Sequence, residues 1–226
     1  MKSKYFYFIS ALLIFNFEAI AQSFTQLKTD ISGVQVILHT KSLQDNDVEG
    51  SPFFSEVWEK GEVRGVDNHF FKLDSMNYNI YLNKIIFMEK GNISAFADFF
   101  VVKEFVLGNN RFKYMQSTSD NRFDYYQVLA NGKKIKLLKR YHSNYIEGKP
   151  SNGMLPEVKA KYITYVDYYI EESESTVKRI DTKKEDIIDL MSDKSNEVVP
   201  YFKKNKIKTK SEESLISVFE YYNSLF

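Results

Sequence analysis

The chain has no cysteine, one tryptophan (Trp58), four prolines and three histidines among 226 residues. Without cysteine there are no disulfides, thiol nucleophiles or thiolate metal sites, so stability has to come from a packed core. Cysteine is also the residue on which a bacterial lipoprotein is acylated, so the sequence reads as not a lipoprotein. His39, His69 and His142 fall in none of the spacings that bring two ligands onto one face, such as H-x-H or H-E-x-x-H. There is no G-x-S-x-G elbow to hold a serine nucleophile, and no glycine-rich phosphate loop of either common kind. A strong charge of one sign is missing too: 31 basic and 30 acidic residues leave a formal net charge of +1. That balance argues against nucleic acid as a partner, since phosphate neutralisation selects for basic faces.

The one long apolar run lies at the start. Lys2 and Lys4 form a positive n-region, residues 5–17 are apolar apart from Ser10 and Asn16, and Ala19-Ile20-Ala21 offers small residues at a cleavage site. The run is short for a membrane-spanning helix, which needs about 20 residues. Residues 1–21 therefore read as a cleavable secretory signal peptide, and the mature chain is expected in the periplasm or outside the cell. Cleavage leaves 205 residues. The removed segment carries two lysines and one glutamate, so 29 basic and 29 acidic residues remain. No second segment is apolar for long enough to span a bilayer.

What is abundant is aromatic: 16% of the chain, with 19 Phe and 16 Tyr. Such residues supply core area and favour strands. The stretch 22–180 reads as one antiparallel β-rich domain. Short apolar runs at 34–38, 62–66, 69–73, 85–88, 101–107, 111–115, 162–170 and 176–180 alternate with turn signals. Tyr78, Ile80 and Leu82 alternate with Asn79, Tyr81 and Asn83, the period of a half-buried strand. Asp67-Asn68, Gly91-Asn92 and Gly108-Asn109-Asn110 mark turns, and Asn131-Gly132 predicts a type I′ hairpin between 125–130 and 133–145. Consecutive strands on short turns must run antiparallel, which makes a meander. It closes as a partial barrel, folds as a sandwich or stays an open curved sheet; the pattern is compatible with all three.

From 181 to 226 the period changes to helical, in a segment expected to pack on the same domain. Thr182 and Glu185 form a capping box before Ile187, Ile188 and Met191. A second helix is predicted to start between Asp193 and Asn196, with Pro200 tolerated near its first turn. Thr209 and Glu212 form another capping box before Leu215, Ile216, Phe219 and Tyr222. Strands followed by about three short helices define an α+β class.

The segments Gly50-Ser51-Pro52-Phe53-Phe54, Tyr78-Asn79-Ile80-Tyr81, Leu137-Leu138-Lys139-Arg140-Tyr141 and Glu220-Tyr221-Tyr222-Asn223, within a tail from Leu215 to Leu225, are short motifs. Together they resemble a group of exported proteins of Gram-negative, Bacteroidetes-type bacteria that have no assigned activity. The resemblance covers most of the mature chain from Gly50 onward. It implies the compartment and a single domain, and no mechanism.

Among local patterns, Asp45-Asn46-Asp47-Val48-Glu49-Gly50 with Glu56 comes near the calcium loop D-x-[DN]-x-[DN]-G-x5-E. Calcium wants six to eight oxygens, a sharp glycine turn and a bidentate final glutamate. Glu49 departs from the pattern, Pro52 is foreign to it, and no helix precedes Asp45. The plainer account is a solvated acidic turn, so no metal ligand is assigned. Asn92-Ile93-Ser94 is a glycosylation sequon, and Asp74-Ser75-Met76 is similar to a short O-glycosylation motif. Lys203, Lys204, Lys206, Lys208 and Lys210 form a basic stretch, best read as a solvated linker that complements a helix C-terminus. No catalytic residue and no cofactor site can be assigned. The sequence favours, in order, a non-catalytic envelope module binding an apolar or glycan ligand on the aromatic sheet, a protein-interaction or structural component, and a secreted hydrolase without a recognisable motif, for which His69 and His142 are the obvious acid–base candidates.

Overall fold

The computed structural model describes residues 35–37, 48–89, 91–97, 100–151, 153–154 and 156–226. Among the described residues, twelve strands join into one hydrogen-bonded system, followed by three short helices, the make-up of a β-rich α+β protein. The strands are β1 (Gln35–Ile37), β2 (Val48–Glu49), β3 (Glu59–Gly65), β4 (Phe70–Asn79), β5 (Lys84–Glu89), β6 (Asn92–Phe96), β7 (Val102–Leu107), β8 (Asn110–Ser117), β9 (Phe123–Asn131), β10 (Lys136–Ile146), β11 (Ala160–Ser173) and β12 (Thr176–Ile180). Pairing is antiparallel except for two short contacts, β2 with β11 and β12 with β8.

The second of those contacts closes a ring. β8 pairs β9, β9 pairs β10, β10 pairs β11, β11 pairs β12, and β12 returns to β8. In an up-and-down ring with an odd number of strands, the first and last point the same way, so the seam has to be parallel. Two register pairs make it, Thr176 with Gln116 and Val177 with Ser117. Thr118 N–H donates to the Val177 carbonyl at 2.8 Å, and Gln116 N–H to that of Ser175 at 2.8 Å. Each strand sends one large side chain inward: Met115, Tyr126, Leu138, Tyr169 and Val177, all at most 1% exposed. Consecutive on β10, Leu137 faces outward and Leu138 inward by ordinary strand alternation, and both are fully buried because β10 is covered on both faces there; the bulge opposite them lies in β9, where Leu129 is the extra residue.

The remaining strands form a curled sheet beside the ring, in the order β1-β6-β5-β4-β3-β7-β8. Four strand spacings, about 19 Å if the sheet were flat, separate β6 from β7. The chain from Phe96 to Val102 reaches about 20 Å when fully stretched. The connection is not stretched, however: Phe100 N–H donates to the Ala97 carbonyl at 2.9 Å, a turn that leaves it short of the flat span, so the sheet curls, and the curl is packed by phenylalanines. Phe96 lies 5.7 Å from Phe71 and 5.2 Å from Phe100. Phe105 and Phe112 stack at 4.5 Å. Tyr78, Phe87, Phe105 and Phe112 are at most 1% exposed, so this core is built largely of aromatic rings.

Strand positions follow the sequence pattern, with informative departures. β4 runs through Asp74-Ser75 and ends at Asn79, and the expected alternation of Tyr78, Ile80 and Leu82 breaks into a turn in which Asn83 adopts φ 52°. The turn wins because the Asn79 carboxamide accepts from Leu82 N–H at 2.9 Å. Gly108 carries the φ of 56° that the two-residue turn between β7 and β8 demands.

The helices are α1 (Lys184–Leu190), α2 (Ser195–Lys204) and α3 (Glu212–Asn223), with a 3₁₀ turn at Ser192–Lys194. They cover the outer wall of the ring, where Ala130 and Leu137 meet Ile187, Val198, Phe202, Leu215, Val218 and Phe219. The expected capping boxes are not formed. Lys183, without a side-chain cap, begins α1, and Ser211 rather than Thr209 caps α3. Pro200 lies inside α2; its missing N–H is tolerated because Val198 and Phe202 on either side of it are buried against the ring.

Nor is the type I′ turn at Asn131-Gly132 formed: β9 ends at Asn131, β10 starts at Lys136, and neither Asn131 nor Gly132 has positive φ. Tertiary structure shapes this loop instead. The Asn223 carboxamide oxygen, from α3, accepts from Lys134 and Ile135 N–H, both at 3.1 Å. Its nitrogen donates to the Ile135 and Phe219 carbonyls at 2.9 and 2.8 Å. A Cβ on Gly132 would lie 1.8 Å from the Asn223 carboxamide carbon, so glycine is needed for close approach. Asn223→Ala is expected to lower unfolding free energy by about 2 kcal/mol, with the denaturant midpoint falling and the slope unchanged.

Candidate functional site

The residues singled out in the sequence are scattered. Asp45, Asp47 and His39 lie outside the described residues; Glu49 belongs to β2, and Glu56 is exposed. Among the described residues, no group of three or more His, Asp or Glu side chains is placed to hold a metal ion. His69 pairs with Asp67 at 2.6 Å in the exposed β3–β4 turn. His142 lies on β10 with its ring stacked 5.3 Å from that of Tyr165. Asn92 is exposed at the start of β6 while Ser94 is buried, and Ser75 is half-buried within β4. Lys203, Lys204, Lys206, Lys208 and Lys210 are exposed at and after the end of α2.

Three places are built by the fold. The first is one mouth of the ring, where inward positions turn from apolar to charged. Arg140 donates to Asp120 at 3.2 Å and to Asp167 at 3.1 Å, and its guanidinium lies 5.3 Å from the Tyr169 ring centre. Arg179 donates to the other oxygen of Asp167 at 2.6 Å. This chain links the β8–β9 loop, β10, β11 and β12, and so braces the parallel seam. At the opposite mouth Glu171 accepts from Lys136 at 2.6 Å and Lys113 at 3.2 Å. Beneath the first plug the fully buried Tyr126 hydroxyl has no protein partner, nor has Arg140 Nε. Burial lowers the His142 pKa, with Asp167 opposing, and so favours the neutral ring.

Asp124 shares this mouth. Burial pushes its carboxyl up to about 6, against the N–H of Tyr125 and the charges of Arg140 and Arg122, with Asp120 adding repulsion. Tyr125 N–H donates to its Oδ1 at 2.8 Å.

The second place is a cleft of about 170 Å³ where the curled sheet meets the ring. Ile85, Phe96 and Phe100 form its apolar wall, and Asn83, Tyr114 and Tyr125 bring polar atoms to it. The Asn83 carboxamide oxygen accepts from the Tyr78 hydroxyl at 2.8 Å. Burial raises the pKa of both Tyr114 and Tyr125, so their phenols remain protonated donors at neutral pH.

The third is a tyrosine face. Tyr81 lies 5.4 Å from Tyr162 and 6.4 Å from Tyr145, with Tyr145 and Tyr162 at 5.0 Å; Tyr81 and Tyr145 are 45% and 40% exposed.

Comparison with known proteins adds no relative: no protein-family model, no curated protein and no solved structure matches the chain. The reading therefore rests on the geometry. Sequence reasoning missed Arg140, Asp124 and Tyr126 because strand alternation alone places them on one face without saying that five strands close around it.

An acid whose pKa is raised by folding stabilises the fold least when ionised. Its penalty is absent below the unfolded value near 4 and complete above about 6. Asp124→Asn keeps the acceptor for Tyr125 N–H and removes the charge. It is expected to be more stable than the parent at pH 8, by an amount of order 2 kcal/mol, and nearly equal to it at pH 4, as read from denaturant midpoints.

Proposed function

We propose that the chain is an exported, non-catalytic binding module of the cell envelope that seats one ring-sized group of an apolar or glycan ligand in the cleft between curled sheet and ring. The observation that carries this reading is the combination of an aromatic wall with phenol and carboxamide groups in one concave site. A group with an apolar face and a hydrogen-bonding edge fits that lining. At about 170 Å³ the cleft is smaller than a usual small-molecule pocket. An apolar cavity of about 150 Å³ takes a single benzene ring, so the site accommodates one ring of a larger ligand, the rest lying outside. The export-signal pattern of residues 1–21 and the neutral charge of the remaining chain support an envelope or extracellular role without nucleic acid.

Native mass spectrometry of the mature protein purified from its own host tests this reading. The parent is expected to carry a reproducible mass excess that organic extraction removes. Val101, which lines the cleft and is 40% exposed, can be enlarged without disturbing the core. Val101→Trp is expected to lose the excess while keeping the parent's circular dichroism. A bare mass for the parent, or an excess that Val101→Trp retains, overturns the assignment.

A further inference from the structure

The cleft between curled sheet and ring has an uneven set of polar groups. Tyr125 is 8% exposed and Tyr114 is half-buried, and both line it. Among the described residues neither hydroxyl has a hydrogen-bond partner, and neither is sealed off as that of Tyr126 is. Burial keeps both phenols protonated at neutral pH, so each has one proton to place.

Asn83 adds donors. Its carboxamide oxygen is taken by the Tyr78 hydroxyl at 2.8 Å, which leaves the two N–H groups of the nitrogen. Tyr78 is fully buried and needs that acceptor, so the orientation is fixed. The groups are neighbours: the Tyr114 and Tyr125 rings lie 5.1 Å apart, and Tyr78, which holds Asn83, lies 5.7 Å from Tyr125.

Acceptors along the same walls already hold donors. The Ala97 carbonyl takes the Phe100 N–H at 2.9 Å, and the Val101 carbonyl takes the Val66 N–H at 3.0 Å. None of the described lining residues is acidic. Two charges act on the cleft and oppose each other. Lys84 lines it, and Asp124, on the ring-facing side of β9, acts on both phenols from behind. What the walls select is therefore an acceptor rather than a charge. The apolar wall is flat and aromatic, with Phe96 and Phe100 stacked at 5.2 Å.

We propose that the group seated in the cleft is a ring carrying an oxygen acceptor, a carbonyl or a carboxylate, with its apolar surface on the phenylalanine wall and its acceptor toward the Tyr114 and Tyr125 hydroxyls and the Asn83 amide. This rests on the cleft being the binding site and adds the chemistry by which it chooses a ligand. A phenol oxygen can also accept, but a ligand with donors alone leaves both phenol protons unplaced, a cost that an acceptor removes.

Four one-ring probes separate these contributions. Acetophenone and benzoate carry an acceptor and no donor, toluene carries neither, and benzylammonium carries donors alone. Each is titrated into the mature protein and followed through the amide signals of Ala97 and Val101. Binding in the millimolar range is expected, and Val101→Trp should abolish it. The better bound of acetophenone and benzoate tells a neutral carbonyl from a carboxylate, and both should exceed benzylammonium. Tyr114→Phe and Tyr125→Phe keep the rings and remove one donor each. Each is expected to weaken the better-bound acceptor probe about fivefold and to leave toluene unchanged, which also shows that the cleft is intact. Acceptor probes indifferent to both variants, or benzylammonium bound as tightly as they are, would overturn this inference and leave the cleft standing. No shift from any probe, or shifts that Val101→Trp retains, would remove the cleft as a binding site and this inference with it.

Discussion

The structure depends on one seam. Five strands running up and down in turn cannot close antiparallel, so β8 and β12 meet as parallel neighbours over two register pairs. So short a ladder is weak alone, and the fold reinforces it from inside and at its rim. Inside, Met115, Tyr126, Leu138, Tyr169 and Val177 form a single apolar layer with one residue from each strand. At the rim, Asp120, Arg140, Asp167 and Arg179 tie together the four segments around the seam. Paired charges at that depth contribute specificity of closure more surely than net stability, because desolvation offsets much of their attraction.

Closure has consequences elsewhere. To return toward β8, β9 leaves β10 at Arg140, and beyond that point β10 runs on with β11 alone. The outer wall of the ring is apolar at Ala130 and Leu137 and is covered by the helices, whose last turn reaches through Asn223 to hold the β9–β10 loop. On another side, Phe112 and Tyr125 join the core of the curled sheet, and the incomplete fit between the two bodies leaves the cleft. The candidate surfaces are therefore products of how the ring closes and where its neighbours stop.

Much of this was legible locally. Turns at Asp67-Asn68 and Gly108-Asn109 read true because their backbone demands are met by the residues themselves. The change of period after Ile180 placed the helices, and the aromatic content announced a β-rich core. Features that failed were those settled by distant partners. Asn131-Gly132 signals a tight turn, yet its geometry is dictated by Asn223, about ninety residues on. Thr182 and Thr209 look like caps, but the helices start where their apolar faces meet the ring. Tyr78, Ile80 and Leu82 alternate like a strand, and the Asn79 side chain turns the chain first.

By itself the sequence determined the α+β class, the antiparallel neighbours and the absence of thiol chemistry, since each follows from residue type and spacing along the chain. Only the tertiary structure decided that the meander closes, which face of β10 meets the helices, and that Asp124, Tyr126 and Arg140 share one mouth. The reason is geometric. Alternation says which residues share a face, but whether that face becomes the inside of a ring depends on the last strand reaching the first, and no local pattern records that meeting.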